Sequence, residues 1–171
     1  MSNHNNKVLA IDPGTKYMGV AFLDEGDLVY HGVEVIKKQK APHLTLRECR
    51  KVILRFIQGY RPQVLAVEKT FFANNRNSAL LNVLVDEIRA IGRRKGLRVV
   101  AFAPSKVKKV VAGNGRASKR DVASVVIARY PNLKVHLPQN RKWKERFWCN
   151  AFDAVAIGMV AAKVGQGKGL R

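Results

Sequence analysis

Two cysteines, four histidines and twelve acidic residues are a small stock of reactive groups for 171 residues. Cys49 and Cys149 form neither a disulfide framework nor a metal-binding spacing, and they read as two reduced thiols of an intracellular protein. The histidines are scattered, no Ser-His-Asp arrangement is visible, and no Walker-type lysine loop is present. No apolar run approaches the roughly 20 residues that cross a bilayer. The leader "MSNHNNK" is polar and lacks the apolar middle of a secretory signal, so the expected location is inside the cell. No basic amphipathic helix or lipidation motif points to a membrane surface. What is present is 47% hydrophobic content, enough for one compact domain with a real core.

The shortage of acids sets the charge. Lys and Arg number 32, giving a net +20, and such an excess costs self-repulsion in a folded chain. A polyanionic partner offsets that cost, and nucleic acid is the partner expected. The charge is also clustered. Between Lys106 and Arg146 stand twelve basic residues against two acids, Asp121 and Glu145. That stretch has the composition of a phosphate-binding surface.

Apolar and alternating patterns predict strands at 7–11, 17–23 and 28–36, separated by the turn-rich "DPGTK" and "DEGD". The short second gap suggests a hairpin and the three strands an antiparallel meander. A helix is expected from about His43 to Gly59, a buried strand of the parallel type at 63–68, and a long helix at 77–95. "LRVVAFAP" reads as another strand. Short helices follow at about 105–112 and 118–130, then a basic loop "PQNRKWKERFW" and a final apolar helix from about 149 to 163. The expected organisation is one domain over 1–163, with 164–171 as a disordered basic tail. The order predicts an α/β fold with a mixed five-stranded sheet, three antiparallel strands continued by parallel βα units, and helices on both faces.

Three acids interrupt apolar elements. Asp12 ends the first strand, Glu68 ends "VLAVE", and Asp153 breaks the helix "CNAFDAVAIGMVAA". A buried carboxylate is costly without a cation, a hydrogen-bond partner or a proton. Each alone has an ordinary explanation: an Asx turn before Pro13, a strand-end cap, an arginine pair. Together they make another arrangement possible. If strands one and four are neighbours, Asp12 and Glu68 emerge side by side, and a helix crossing that end brings Asp153 to them. Clustered carboxylates suit a hard divalent ion, Mg2+ or Mn2+. In so basic a chain this suggests two-metal hydrolysis of a phosphodiester.

These segments resemble a known family. "AIDPGTKYMGVA" is similar to the first motif of the RuvC Holliday-junction resolvases, which have the ribonuclease H-like fold of the retroviral integrase superfamily. "AVEKTFFANNRNSAL" resembles the second motif, "VKKVVAGNGRASKRDV" the basic third segment and "NAFDAVAIGMVAA" the last acidic helix. The resemblance runs in order from about residue 7 to 163. It implies a homodimeric endonuclease using two Mg2+ per site, with Mn2+ as a substitute, that nicks two opposing strands of a four-way DNA junction in recombination and repair. A branch-migration motor is a further partner it leaves open. By the same resemblance Asp12, Glu68 and Asp153 are metal ligands, and Lys108 and Lys119 contact phosphate and assist catalysis. Phe71 falls where the family inserts an aromatic at the exchange point, where stacking on an unpaired base is worth about 1–3 kcal/mol. Phe72 is either a second DNA contact or a core residue. Ser118, with Asp121 three residues on, reads as a capped helix start suited to a phosphate. Lys109, Arg116 and Arg120 are candidates for backbone contact.

One position departs from the pattern. The family carries an acid, or sometimes a histidine, three residues before the last aspartate, where this chain has Asn150. That spacing keeps Asn150 on the helical face of Asp153. Asparagine can lend a carbonyl oxygen to a metal but brings no charge and cannot act as a base. Asn150 is either native or a near-isosteric replacement of an aspartate. Glu145, eight residues before Asp153, is a distant substitute if the helix reaches it. Beside the junction nuclease therefore stand two alternatives: a weakened or inactive binding module, and another RNase H-like nuclease.

Overall fold

The computed structural model describes residues 6–69, 76–137 and 142–165, with backbone only for 76–78 and 142–146. Strands β1 (Lys7–Asp12), β2 (Tyr17–Asp24) and β3 (Asp27–Val35) are followed by helix α1 (Pro42–Tyr60) and strand β4 (Val64–Glu68). Then come α2 (Arg76–Arg94), β5 (Arg98–Phe102), α3 (Pro104–Ala112), α4 (Lys119–Arg129), a 3-10 turn (Pro131–His136) and α5 (Lys142–Gly165). The sheet order is β3-β2-β1-β4-β5, with β1 antiparallel to β2 and parallel to β4. This is the mixed five-stranded sheet that the sequence predicts.

Alternation along the strands divides the core in two. Leu9, Ile11, Val20, Phe22, Leu65 and Val67 point toward α1 and α2. Val8, Ala10, Ala21, Leu23, Val64 and Ala66 point toward α3, α4 and α5. Because β1 and β4 are covered on both faces, their sequences are continuously apolar rather than alternating. The α5 side is lined with small residues, which lets that helix lie low on the sheet. A Cβ at Gly158 would collide with Leu23 Cδ1 and come within 3.3 Å of Ala10 Cβ. Gly19 does the same further along, where a Cβ would run into the main-chain carbonyl of Asn150. Glycine inside a strand commonly marks such a close approach.

The predicted boundaries hold to within a few residues except near the C-terminal helix. That helix begins at Lys142, not near 149, so most of the expected basic loop is helical. Lys, Glu and Arg are good helix formers, and a charged run excludes a buried face but not a helix. Two aromatics of that run also have places to pack. Phe147 meets Tyr17 edge-on with ring centres 5.5 Å apart, and Trp148 stacks on His136 at 3.9 Å. The second contact docks the 3-10 turn, an element the sequence pattern did not suggest. At its other end α5 continues to Gly165, and residues 166–171 of the expected tail lie outside the described residues.

One composition-based expectation is corrected. The segment Phe147–Gly165 is long and apolar enough to cross a membrane by length and hydropathy. It is apolar because both its sides are enclosed: Ala151, Ala154, Val155, Ile157, Val160 and Ala161 are all buried against the sheet and its neighbouring helices.

Candidate active site

Strands β1 and β4 run parallel with Ile11 opposite Val67, so their next residues, Asp12 and Glu68, emerge together at the C-terminal edge of the sheet centre. In open α/β sheets this edge is where ligands bind. Helix α5 crosses it and brings Asp153. The helix can do so because Gly19, the β2 partner of Asp12, leaves room for the backbone at Asn150. Lys119, first residue of α4, reaches across to place Nζ 2.7 Å from Asp153 Oδ2. Lys108 on α3 and the side chains of Val107 and Val122 complete a cleft of about 170 Å³ beside Glu68 and Asp153.

Burial and neighbouring charges act together on these groups. Burial raises the Asp12 carboxyl well above its usual range, and repulsion from Asp153 and Glu68 adds to it, with Lys119 opposing. Burial likewise pushes Glu68 up from 4.5 to about 7, helped by Asp153 and countered by Lys119 and Lys108. Burial works against the charge on Lys119, yet the Asp153 carboxylate outweighs it and the ammonium ends above its ordinary value. Asp12 thus feels both other acids and Glu68 feels Asp153, with Lys119 opposing at each. Among the described residues no three Asp, Glu, His or Cys side chains close on a single ion position. Asp153 is instead turned to Lys119. The donor set remains one of hard oxygens in a desolvated, negative corner, which fits a divalent cation of the Mg2+ type.

Ser118 and Asp121 form the capping box that their spacing predicts. Asp121 N–H donates to Ser118 Oγ at 3.2 Å, and Ser118 N–H donates to Asp121 Oδ2 at 2.8 Å. Those two donors are therefore used within the box. Arg116 follows an Asx turn in which its N–H donates to Asn114 Oδ1. Lys108, Lys109, Arg116, Lys119 and Arg120 all lie on α3, α4 or the turn joining them, the layer that borders the cleft. Asn150 sits one helical turn before Asp153 on α5. The backbone of Glu145 is helical too, but eight residues at 1.5 Å each place it about 12 Å along the axis, too far to replace Asn150. Phe71 and Phe72 lie outside the described residues. Gly19 is not among the residues that the sequence pattern singles out, although a glycine inside "YMGVAF" carries the signal of a close backbone approach.

A mixed sheet with acids at the ends of its two central strands and a third acid on a crossing helix defines the ribonuclease H-like class of α/β nuclease folds. Comparison with known proteins narrows this. The family profile "Crossover junction endodeoxyribonuclease RuvC" matches residues 8–159, and the chain belongs to that family. Among curated relatives, the crossover junction endodeoxyribonuclease RuvC of Myxococcus xanthus is 36% identical over 158 residues, covering 90% of this chain and 78% of the relative. That of Geotalea uraniireducens is 34% identical over 161 residues, covering 91% and 88%. The structure of Thermus thermophilus RuvC superposes with a TM-score of 0.74 at 25% identity, covering 94% of this chain and 96% of that one. The same protein in complex with a Holliday junction substrate matches with the same score and coverage at 24% identity.

Proposed function

We propose that this chain is a structure-selective endonuclease that resolves four-way DNA junctions by hydrolysing phosphodiesters with the aid of divalent metal. The observation that carries the reading is the placement of Asp12 and Glu68 at the adjoining ends of β1 and β4, with Asp153 and Lys119 lining the same cleft as Glu68, inside a chain of net charge +20. Protonation and Lys119 relieve part of the charge in such an arrangement, and a divalent cation would relieve the rest and offset the further negative charge of a bound phosphodiester.

Asp12, Glu68, Asp153 and the Asn150 carbonyl are the groups that would hold two Mg2+ ions, with Mn2+ as substitute. When bound, the ions supply Lewis-acid activation of water and neutralisation of charge on the phosphate. The protein's own contributions are separate. Lys119 and Lys108 border the cleft and stabilise negative charge that develops on the phosphoryl oxygens. Lys109, Arg116 and Arg120 hold the flanking backbone and set its direction. Asp12, the most enclosed of the acids, is kept from open water by β2 and α5. Phe71, with Phe72 beside it, is assigned to stacking at the exchange point. Paired nicks need two sites on one junction, so the working unit is a homodimer, acting on DNA inside the cell.

Asn150 favours a second reading. One negative ligand is missing from the family pattern, and a site with fewer charges holds metal more weakly. A junction-binding module with little cleavage would have this composition. Incubation of the protein with a synthetic four-way junction and Mg2+ or Mn2+ separates the two. Paired nicks near the junction centre support the nuclease. Binding without nicks, persisting after Asn150→Asp, overturns it in favour of the binding module, and equal cleavage of linear duplex or of an RNA–DNA hybrid points to another RNase H-like nuclease.

A further inference from the structure

A second group of lysines stands at the same edge of the sheet, on the face away from α3 and α4. Beyond β3 the chain reads "KKQK", and Lys37, Lys38 and Lys40 are all exposed. They and Lys16 line a groove of about 630 Å³, together with Val35 and Leu80. The groove is held in register with the candidate active site. Val35 pairs with Tyr17, and Ile36 N–H donates to Lys16 O at 2.9 Å. Lys16 is four residues past Asp12, across the "PGT" turn.

Among the described residues no carboxylate forms an ion pair with Lys16, Lys37, Lys38 or Lys40. The acid that feels Lys37, Glu48, is already held by Lys51 at 2.8 Å and Arg47 at 4.0 Å. Four like charges gathered around one groove repel one another, and a polyanion lying in it relieves that repulsion. With strands about 4.8 Å apart, β3 lies roughly 10 Å from β1 and 14 Å from β4. A B-form duplex rises about 3.4 Å per nucleotide along its axis, so for a duplex lying across the strands this span corresponds to three or four nucleotides.

We propose that Lys16 and the Lys37–Lys40 strap form a second contact surface for the sugar–phosphate backbone, gripping DNA three or four nucleotides from the phosphate in the acidic site. The site is then flanked by basic surface on both sides, α3–α4 on one and the strap on the other, and the backbone is held across the point of cleavage. This deepens the nuclease reading and rests on it for the location of the scissile phosphate.

The test is binding of a four-way junction and of a linear duplex by anisotropy, in Ca2+, from 50 to 300 mM KCl. Parent chain, a triple Lys37/Lys38/Lys40→Gln variant, the corresponding triple Lys→Arg variant, and Lys95→Ala at the far end of the sheet are compared. Each phosphate contact contributes about 0.9 to the slope of log affinity against log salt. The Gln triple is expected to lose about 2 to 3 from that slope and at least about tenfold in affinity at 150 mM. The Arg triple and Lys95→Ala are expected to keep the parent slope. A Gln triple whose slope equals the parent's overturns the strap. So does an Arg triple that loses as much as the Gln triple, since the loss is then not one of charge. A parent with no preference for the junction overturns the junction reading while leaving the slope comparison on duplex to decide the strap. A parent that binds neither DNA overturns both.

Discussion

Gly19 lies directly beneath the main-chain carbonyl of Asn150, so closely that a methyl group there would collide with it. The same residue is the register partner of Asp12. A backbone contact between β2 and α5 thus sets the height of the helix that carries Asp153 over the strand that carries Asp12.

Gly19→Ala is therefore expected to lift α5 from the sheet. Overpacking of this kind costs about 1–3 kcal/mol. The catalytic loss should be larger than the stability loss implies, because a displacement of about 1 Å in a positioned group can cost about 100-fold. Urea denaturation and junction nicking on the same preparation measure both. A variant that is destabilised yet fully active would show that α5 does not set the site.

Asn150→Asp adds a fourth carboxylate on the face of Asp153. In metal-free buffer it should lower stability, since another negative charge joins acids already raised by burial and by neighbouring carboxylates. With Mg2+ it should cleave at lower metal concentration than the parent, by about tenfold or more. A Mg2+ titration of nicking rate reads this directly. Identical titration curves would mean that position 150 does not face the metal.

Much of this site was legible in the sequence, for a physical reason. Asp12, Glu68 and Asp153 occupy places where the apolar pattern calls for hydrophobes, and a carboxylate among buried residues needs an explanation. The central strands were legible because burial on both faces makes them continuously apolar. The first turns of α5 were not, because "KWKERF" is polar and has the composition of a loop, while helical propensity and the Phe147 and Trp148 contacts decide otherwise. The turn Pro131–His136 has no period of its own and is fixed by tertiary contact, His136 under Trp148. The partnership of Lys119 with Asp153 joins residues 34 positions apart, and only the fold reveals it.

Glu68 links stability to pH. Its carboxyl titrates at about 7 in the folded chain against 4.5 ordinarily, so between these values the folded state holds the proton that the unfolded state has released. The cost is absent below pH 4.5 and fully present above about 7, and it is on the order of 3 kcal/mol. Glu68→Gln removes it. The variant should be more stable than the parent at pH 8 without metal, with the difference closing as pH falls toward 4.5. Mg2+ should stabilise the parent at pH 8 more than the variant. His31 and His136, both lowered by burial, act in the opposite sense below pH 6.5 but cancel in the comparison. A difference that is flat with pH would contradict the raised carboxyl.

Lys119 is the cation that Asp153 holds at 2.7 Å. Lys119→Ala is expected to slow cleavage by about 100-fold or more at saturating Mg2+, the usual scale for losing a charge-stabilising donor. Metal affinity should not fall, because a competitor for Asp153 has been removed. Single-turnover nicking and Mn2+ binding by calorimetry measure the two effects. A loss of metal affinity that accounts for the whole loss of rate would make Lys119 a positioning residue rather than a catalytic one.

The most direct measurement is anomalous diffraction from crystals of the protein grown with Mn2+. Manganese is expected at the shared edge of β1 and β4, bound by Asp12 with Glu68 and Asp153 at about 2.0–2.3 Å. Manganese elsewhere on the molecule, with that edge empty and Asp153 still on Lys119 at saturating metal, would contradict a metal-dependent nuclease.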